Sequence, residues 1–176
     1  MDILDKQPCP YCGSKDGLTL TEDETEVPYF GKLFMFSMKC NACSVSISDV
    51  EAADEKEPCR ITFETSSEKD MSVRVVKSSH ASINIPTLKM SVESGNGSEG
   101  YVSNIEGLLT RFEDILKDEK ENTEDDEDKL KAKNLLKKMW KVKLGDIPCK
   151  IIIEDPTGNS AIISDKAVIE KLKGKK

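Results

Sequence analysis

Two short cysteine pairs constrain this chain more than any other feature. They are Cys9-Pro10-Tyr11-Cys12 and Cys40-Asn41-Ala42-Cys43, each C-x2-C, with 27 residues between them (Gly13 to Lys39). Two residues between cysteines let a tight turn aim both sulfurs at one point while backbone N–H groups face the thiolates. Two such turns supply the four soft ligands that tetrahedral zinc prefers. One C-x-x-C is compatible with redox chemistry or chance, but two at this separation read as a zinc ribbon. With thiolate in all four positions no open site remains to activate water, so the single ion expected here is structural.

The remaining cysteines, Cys59 and Cys149, lie in strand-like runs and read as small buried core residues. The N-terminus Met1-Asp2-Ile3-Leu4-Asp5 lacks the basic and apolar regions of an export signal. The six cysteines are therefore expected as reduced thiols and ligands rather than a disulfide framework, and the expected compartment is cytoplasmic. No apolar run reaches the ~18 residues needed to cross a bilayer.

With 176 residues the chain has room for one fair-sized domain plus a small one. Its 26 Lys and Arg against 33 Asp and Glu leave a net charge of −7. That balance gives no overall electrostatic footprint for nucleic acid, although the tail Lys171-Leu172-Lys173-Gly174-Lys175-Lys176 is positive.

Residues 1–50 read as a small module that leans on its metal. Leu18-Thr19-Leu20-Thr21 and Leu33 to Met38 read as strands. The second run is apolar on both faces: either the next domain covers it, or it presents Tyr29, Phe30, Phe34 and Phe36 to a partner. Val45, Ile47 and Val50 continue the alternation. From 51 to 176 the pattern is mainly period two: Cys59, Ile61 and Phe63; the run Met71 to Val76; Ile83 and Ile85 before Pro86; Leu88, Met90 and Val92. Gly95-Asn96-Gly97 marks a turn. Such short strands suggest a sandwich, a barrel or a β-helix-like roll.

The period changes at Ser103. Ser103 and Glu106 have capping-box spacing, and Ile105, Leu108, Leu109, Phe112, Ile115 and Leu116 form one helical stripe. A charged stretch, Lys117 to Lys129, is either a solvated loop or the polar ends of two helices. Leu135, Leu136, Met139 and Val142 continue at helical spacing to Gly145. The result is a helical hairpin at about 103–145 inserted into a β domain. Strand signals resume at Ile147 and Ile151 to Ile153. Glu154-Asp155-Pro156-Thr157-Gly158-Asn159-Ser160 reads as a hairpin tip, with Asp155 bonding N–H groups of its own turn. Asp165 is expected to cap a short final helix through Val168, Ile169 and Leu172. The fold class is mainly β with a helical insertion.

From Cys9 to about Ile163 the chain resembles the Zpr-type zinc-finger family (Zpr one). The C-P-x-C-G knuckle, Asp70-Met71-Ser72-Val73-Arg74-Val75-Val76-Lys77-Ser78, Ile83-Asn84-Ile85-Pro86-Thr87-Leu88, Ser103-Asn104-Ile105-Glu106-Gly107-Leu108-Leu109 and Glu154 to Ser160 occur in the family's order. Ser44 stands where the family has Gly, and Val73 where it has Arg. The resemblance implies a zinc ribbon followed by a double-stranded β-helix-like domain with a hairpin insertion. The resemblance is to the single-copy form found in archaea, since the chain has room for one unit; eukaryotic members carry the unit twice. It also implies binding to translation elongation factor one-alpha, with a chaperone-like role.

Catalytic chemistry is not expected. His80 is the one histidine and reads as a surface residue, and G-x-S-x-G, P-loop and H-E-x-x-H motifs are all missing. Three functions compete. A protein-binding factor gripping a client through ribbon and hairpin fits the family and the acidic charge, since complementary fields speed encounter with a basic partner. A zinc-ribbon nucleic-acid accessory factor is disfavoured by the net charge. A thiol redox protein using Cys9 and Cys12 is excluded if those thiols hold zinc.

Overall fold

The period-two run after the first cysteine pair folds as a long antiparallel ladder. The computed structural model describes residues 1–28, 30–54, 56–95 and 98–172. Tyr29, the Asn96-Gly97 step of the expected turn and the end of the lysine tail lie outside them. Strands β2 (Leu18–Val27) and β3 (Gly31–Cys40) pair from Leu18↔Cys40 to Val27↔Gly31. Strand β4 (Ser46–Ala52) joins β3 on one side, and β1 (Asp2–Gln7) joins β2 on the other. β1 had no signal in the sequence because it is an edge strand with nearly every residue exposed, so no apolar alternation is required of it.

The rest of the chain makes two further antiparallel sheets. One contains β5 (Cys59–Thr65), β7 (Ser82–Ile85), β8 (Met90–Val92), β10 (Cys149–Asp155) and β12 (Val168–Lys171), in the order β12-β5-β10-β7-β8. The other is β11 (Ala161–Ile162), β6 (Arg74–Lys77) and β9 (Tyr101–Asn104), in the order β11-β6-β9. Ile61 and Phe63 from β5, Ile83 and Ile85 from β7, and Ile151 and Ile153 from β10 meet Val75 and Ile162 from the opposing sheet in one core. Helices α1 (Ile105–Asn122) and α2 (Asp126–Lys143) close that core with Ile105, Leu108, Leu109, Phe112, Met139 and Val142. Each fully buried side chain of this size contributes about 1.5–3 kcal/mol.

Strand β6 is a wall shared by two apolar clusters. Val75 points into the main core, while its neighbour Val76 points the other way. There it packs with Val27, Leu33 and Val50 of the ribbon sheet and Ala161. The alternation of β6 thus seats the N-terminal sheet on the β roll.

Four expectations are corrected. Asp165 does not cap a helix: Val168–Lys171 pairs with the open edge of β5, Val168 opposite Thr62 and Lys171 opposite Cys59, where ladder bonds are available to a segment too short for a stable helix. Glu154 to Ser160 is not a hairpin tip but a crossover, since β10 and β11 belong to different sheets. Helix α1 is capped by Asn104, whose Oδ1 accepts from Gly107 N at 2.8 Å, and not by Ser103. The Met71 to Val76 run is split by a 3-10 turn over Glu68–Ser72. Asp70 nucleates that turn by accepting from Ser66 N at 2.8 Å and Ser67 N at 3.1 Å. Val73, at the family's Arg position, packs partly against the main core.

Candidate metal centre and partner-facing surface

Each cysteine pair sits on a tight turn at the same end of the ribbon ladder. The first is closed by Gly13 N donating to Cys9 O at 2.9 Å and Cys9 N donating to Ser14 O at 2.8 Å. The second is closed by Cys40 N donating to Val45 O at 2.9 Å, and Asn41 N donating to Gly17 O at 2.9 Å ties the two together. The residue after each second cysteine takes positive φ, +71° at Gly13 and +59° at Ser44. Glycine accepts that conformation freely, whereas serine is strained in it.

These turns bring the sulfurs of Cys9, Cys12, Cys40 and Cys43 within 4.8 Å of one another. Cys9 Sγ lies 3.9 Å from Cys43 Sγ, and Cys12 Sγ 3.8 Å from Cys40 Sγ. Four thiolates at ~2.3 Å from a tetrahedral zinc stand about 3.8 Å apart, so the cluster fits that ion. Its first sulfurs are buried and its second ones exposed. The Cys43 N–H, aimed at the Cys40 sulfur, outweighs burial and brings that thiol down to about 7. Against the Val45 N–H, which favours the thiolate, burial and the sulfurs of Cys40, Cys12 and Cys9 push Cys43 up to about 12. Sulfurs this close repel as thiolates, and a divalent cation among them removes the conflict. Burial likewise pushes Cys59 and Cys149 up to about 11; both stand apart from the cluster.

The two faces of the ribbon sheet differ. Leu33, Met35, Val27 and Val50 turn inward to the cluster shared with β6, and Phe30 packs partly against it. Residues paired directly across a ladder share a face, so Phe34, Phe36 and Met38 all turn outward. Phe34 lies between Glu24 and Glu51, and Phe36 between Glu22 and Asp49. Met38 lies between Leu20 and Ile47, and Leu4 lies beyond Leu20. Phe36 is 39% exposed, and its ring sits 6.5 Å from that of Phe34. An open, mainly apolar trough of about 370 Å³ runs over Leu4, Leu20, Phe36, Met38 and Ile47. The run judged apolar on both faces is thus covered on one and open on the other. Of the expected partner residues, Phe34 and Phe36 lie on the open face and Phe30 at the seam.

A polar junction holds ribbon to roll. Asp49 of β4 accepts from Ser79 N at 2.8 Å and Ser79 Oγ at 2.6 Å. Gly100 N donates to Ser48 O at 2.9 Å. A Cβ at Gly100 would sit 2.7 Å from Val50 N, so only glycine admits β4 this closely. Ala52 N donates to Asn159 Oδ1 at 3.2 Å. Behind Asn159, fully buried Asp155 accepts from Ser78 Oγ at 2.8 Å, Thr157 N at 2.8 Å, Thr157 Oγ1 at 2.7 Å and Ser160 Oγ. Burial alone would raise this carboxyl, but donors from Ser160, Thr157 and Ser78 hold it below the usual range. Burial lowers Lys77, whose ammonium donates to Ser78 O at 2.9 Å and Glu99 O at 3.2 Å. The V-V-K-S and D-P-T-G-N-S stretches, distant in sequence, meet here as structural residues. His80 sits at the rim, its Nδ1 4.0 Å from Asp49.

A four-thiol knuckle seated on an antiparallel β roll, with an inserted helical hairpin, defines a zinc-ribbon protein of jelly-roll type. Comparison with known proteins agrees. The ZPR1 jelly-roll domain matches residues 69–175. A ZPR1-like protein of Methanocaldococcus jannaschii is 37% identical over 94% of this chain and 83% of its own length. One of Pyrococcus horikoshii is 38% identical over 93% of this chain and 75% of its own length. The Schizosaccharomyces pombe zinc finger chaperone zpr1 is 30% identical over 88% of this chain, which spans 33% of that longer protein. The chain belongs to the ZPR1 family.

Proposed function

We propose that this protein is a non-catalytic, chaperone-like binding factor whose client is translation elongation factor one-alpha, gripped between the zinc ribbon and the helical hairpin. The observation that carries the reading is the open ribbon face. Interface cores are enriched in Phe and Met, and here Phe36 and Met38 line a trough rimmed by Asp2, Glu22 and Asp49, with Phe34 beside Phe36 on the same face. That chemistry suits a client surface that is apolar at its centre and basic at its edge. One structural zinc held by Cys9, Cys12, Cys40 and Cys43 fixes the turns from which this sheet extends. The fission-yeast relative's name, zinc finger chaperone, points to the same class of activity.

The test uses the zinc-loaded full chain and purified elongation factor one-alpha at low salt. Co-elution is expected, together with a tenfold or greater loss of affinity on Phe34→Ala with Phe36→Ala, as for paired aromatic anchors. Failure of the factor to co-elute, or equal binding by the double variant, overturns the reading.

A further inference from the structure

Helix α2, one arm of the hairpin, carries an outer lysine face that is separate from the ribbon trough on which the client reading rests. Between Lys129 and Lys143 it has seven lysines and no Asp or Glu, in a protein whose net charge is −7. Its inner face, with Ala132, Met139 and Val142 buried, accounts for packing against α1 and the core. Three of the lysines are engaged: Lys131 pairs with Asp128, Lys143 pairs with Glu113, and Lys138 donates to Thr87 O. Among the described residues Lys129, Lys133, Lys137 and Lys141 have no such partner; Lys129 adjoins the acidic first turn and the other three lie beyond it. At four-residue spacing they stand about 6 Å apart along one line of the helix. Beside them is Trp140, the one tryptophan in the chain, 65% exposed. It lies seven residues beyond Lys133, on the same helical face. Nothing in the packing of the hairpin requires an aromatic ring there.

We infer that this lysine-and-tryptophan face of α2 binds single-stranded nucleic acid, with Lys133, Lys137 and Lys141 on successive phosphates and Trp140 stacking on a base. The side-chain types decide between polyanions. Protein interfaces favour Arg and are depleted of Lys, and the ribbon face follows that rule with Phe and Met. Lysine serves phosphate as a point charge, and a cationic track beside an aromatic platform is the shared device of proteins that hold single strands. A membrane surface needs a continuous apolar face; here exposed Leu130 and Leu144 flank the lysines without joining into one. The net charge hides the patch because most acids lie on other parts of the chain, α1 and the ribbon among them, and those of α2 itself are confined to its first turn, Asp126 to Asp128, ahead of the lysines.

This inference does not rest on the client reading, and its test leaves the ribbon untouched. The full zinc-loaded chain is titrated with a short labelled oligouridylate, following anisotropy of the label and emission of Trp140. Binding with quenching of Trp140 is expected. The slope of log K against log salt is expected to be at least about 2 in magnitude, from three phosphates at ~0.7 each. Lys133→Ala, Lys137→Ala and Lys141→Ala together should lower that slope by about 2 and weaken binding at low salt at least a hundredfold. Trp140→Ala should weaken it about tenfold and Trp140→Phe should restore most of the loss, which a merely structural role would not produce. Alanine is favourable in a helix, and melting curves confirm that the variants fold; Lys→Gln replacements serve if they do not. No binding at low salt, binding unchanged in the triple variant, or equal competition by an oligoglutamate peptide or phosphatidylserine vesicles overturns the inference.

Discussion

Replacing Asp155 with alanine tests whether the family motif after β10 is structural. The carboxylate is fully buried and accepts four hydrogen bonds, from Ser78 Oγ, Ser160 Oγ, Thr157 N and Thr157 Oγ1. Alanine leaves two buried hydroxyls and the half-buried amide and hydroxyl of Thr157 without an acceptor, at about 1–3 kcal/mol for each group that water does not reach. It also strips Lys77 of a carboxylate that favours its charge. A net loss of about 4 kcal/mol follows, and at roughly 2–4 °C per kcal/mol for a chain of this size the Tm falls by about 10 °C. Asparagine keeps the shape, and the serine hydroxyls can turn to accept from its amide, so Asp155→Asn should lose only about 1–2 kcal/mol. Calorimetry of the zinc-loaded protein measures both. Hydrogen exchange adds a local reading: Ala52 N, bonded to Asn159 Oδ1, should lose protection in the alanine variant. Melting of Asp155→Ala within 2 °C of the parent would refute the reasoning.

Cys9→Ser or Cys40→Ser is expected to lose the metal and unfold the ribbon while the β roll still melts cooperatively, since structural zinc contributes on the order of 10 kcal/mol of apparent binding energy; metal content and ribbon amide exchange on one sample check this. Ser44→Gly relieves a positive-φ serine and should raise the Tm by a few degrees, the ~1–2 kcal/mol of left-handed strain being partly offset by glycine's unfolded-state entropy. Acid should expose Asp70. Burial opposes its ionisation, but Lys166 Nζ at 2.8 Å and the Ser66 and Ser67 amides hold it down to about 2 from 3.8. Because the carboxyl is more acidic folded than unfolded, its stabilisation is whole above about pH 4 and drains as pH falls towards 2. Denaturant midpoints across that window should fall, and should flatten in Asp70→Asn.

What the sequence reveals depends on whether a segment's fate is local. The knuckles, the β2–β3 strands and the helical stripe from Ile105 to Leu116 are set by spacing and period, and the structure forms each of them, with the strands longer than their apolar runs and Ile115 of the stripe 43% exposed. Segments decided by distant partners were not legible. Strand β12 exists because β5 offers an edge more than a hundred residues earlier. The crossover after Asp155 looks like a turn because it is one, but Ser78 and Asn159 determine which sheet the chain enters next. The junction acids and serines, Asp49, Ser79 and Ser160, have no signature of their own. The alternation in Val75-Val76 contained the clue that β6 faces two cores, yet period two does not distinguish one core from water on the other side.

Net charge is a coarse guide for a related reason: it averages over surfaces that never meet. On the ribbon, β2 contributes Glu22, Glu24 and Glu26 to the face that carries half-buried Phe34 and exposed Phe36, so carboxylates border both rings. On the hairpin, the acids of α1 and of the tip at 124–128 give way, after the first turn of α2, to a stretch from Lys129 to Lys143 with seven lysines and no acid. At physiological ionic strength fields decay over about 8 Å, so a ligand on α2 responds to Lys133, Lys137 and Lys141 and scarcely to the carboxylates of the ribbon sheet. The two proposed ligands, on surfaces of opposite sign, are therefore expected to bind independently. Salt should weaken both, while Phe36→Ala should weaken only the first and Lys137→Ala only the second. A single substitution that weakened both would mean the faces are one site, and the separation drawn from charge would fail.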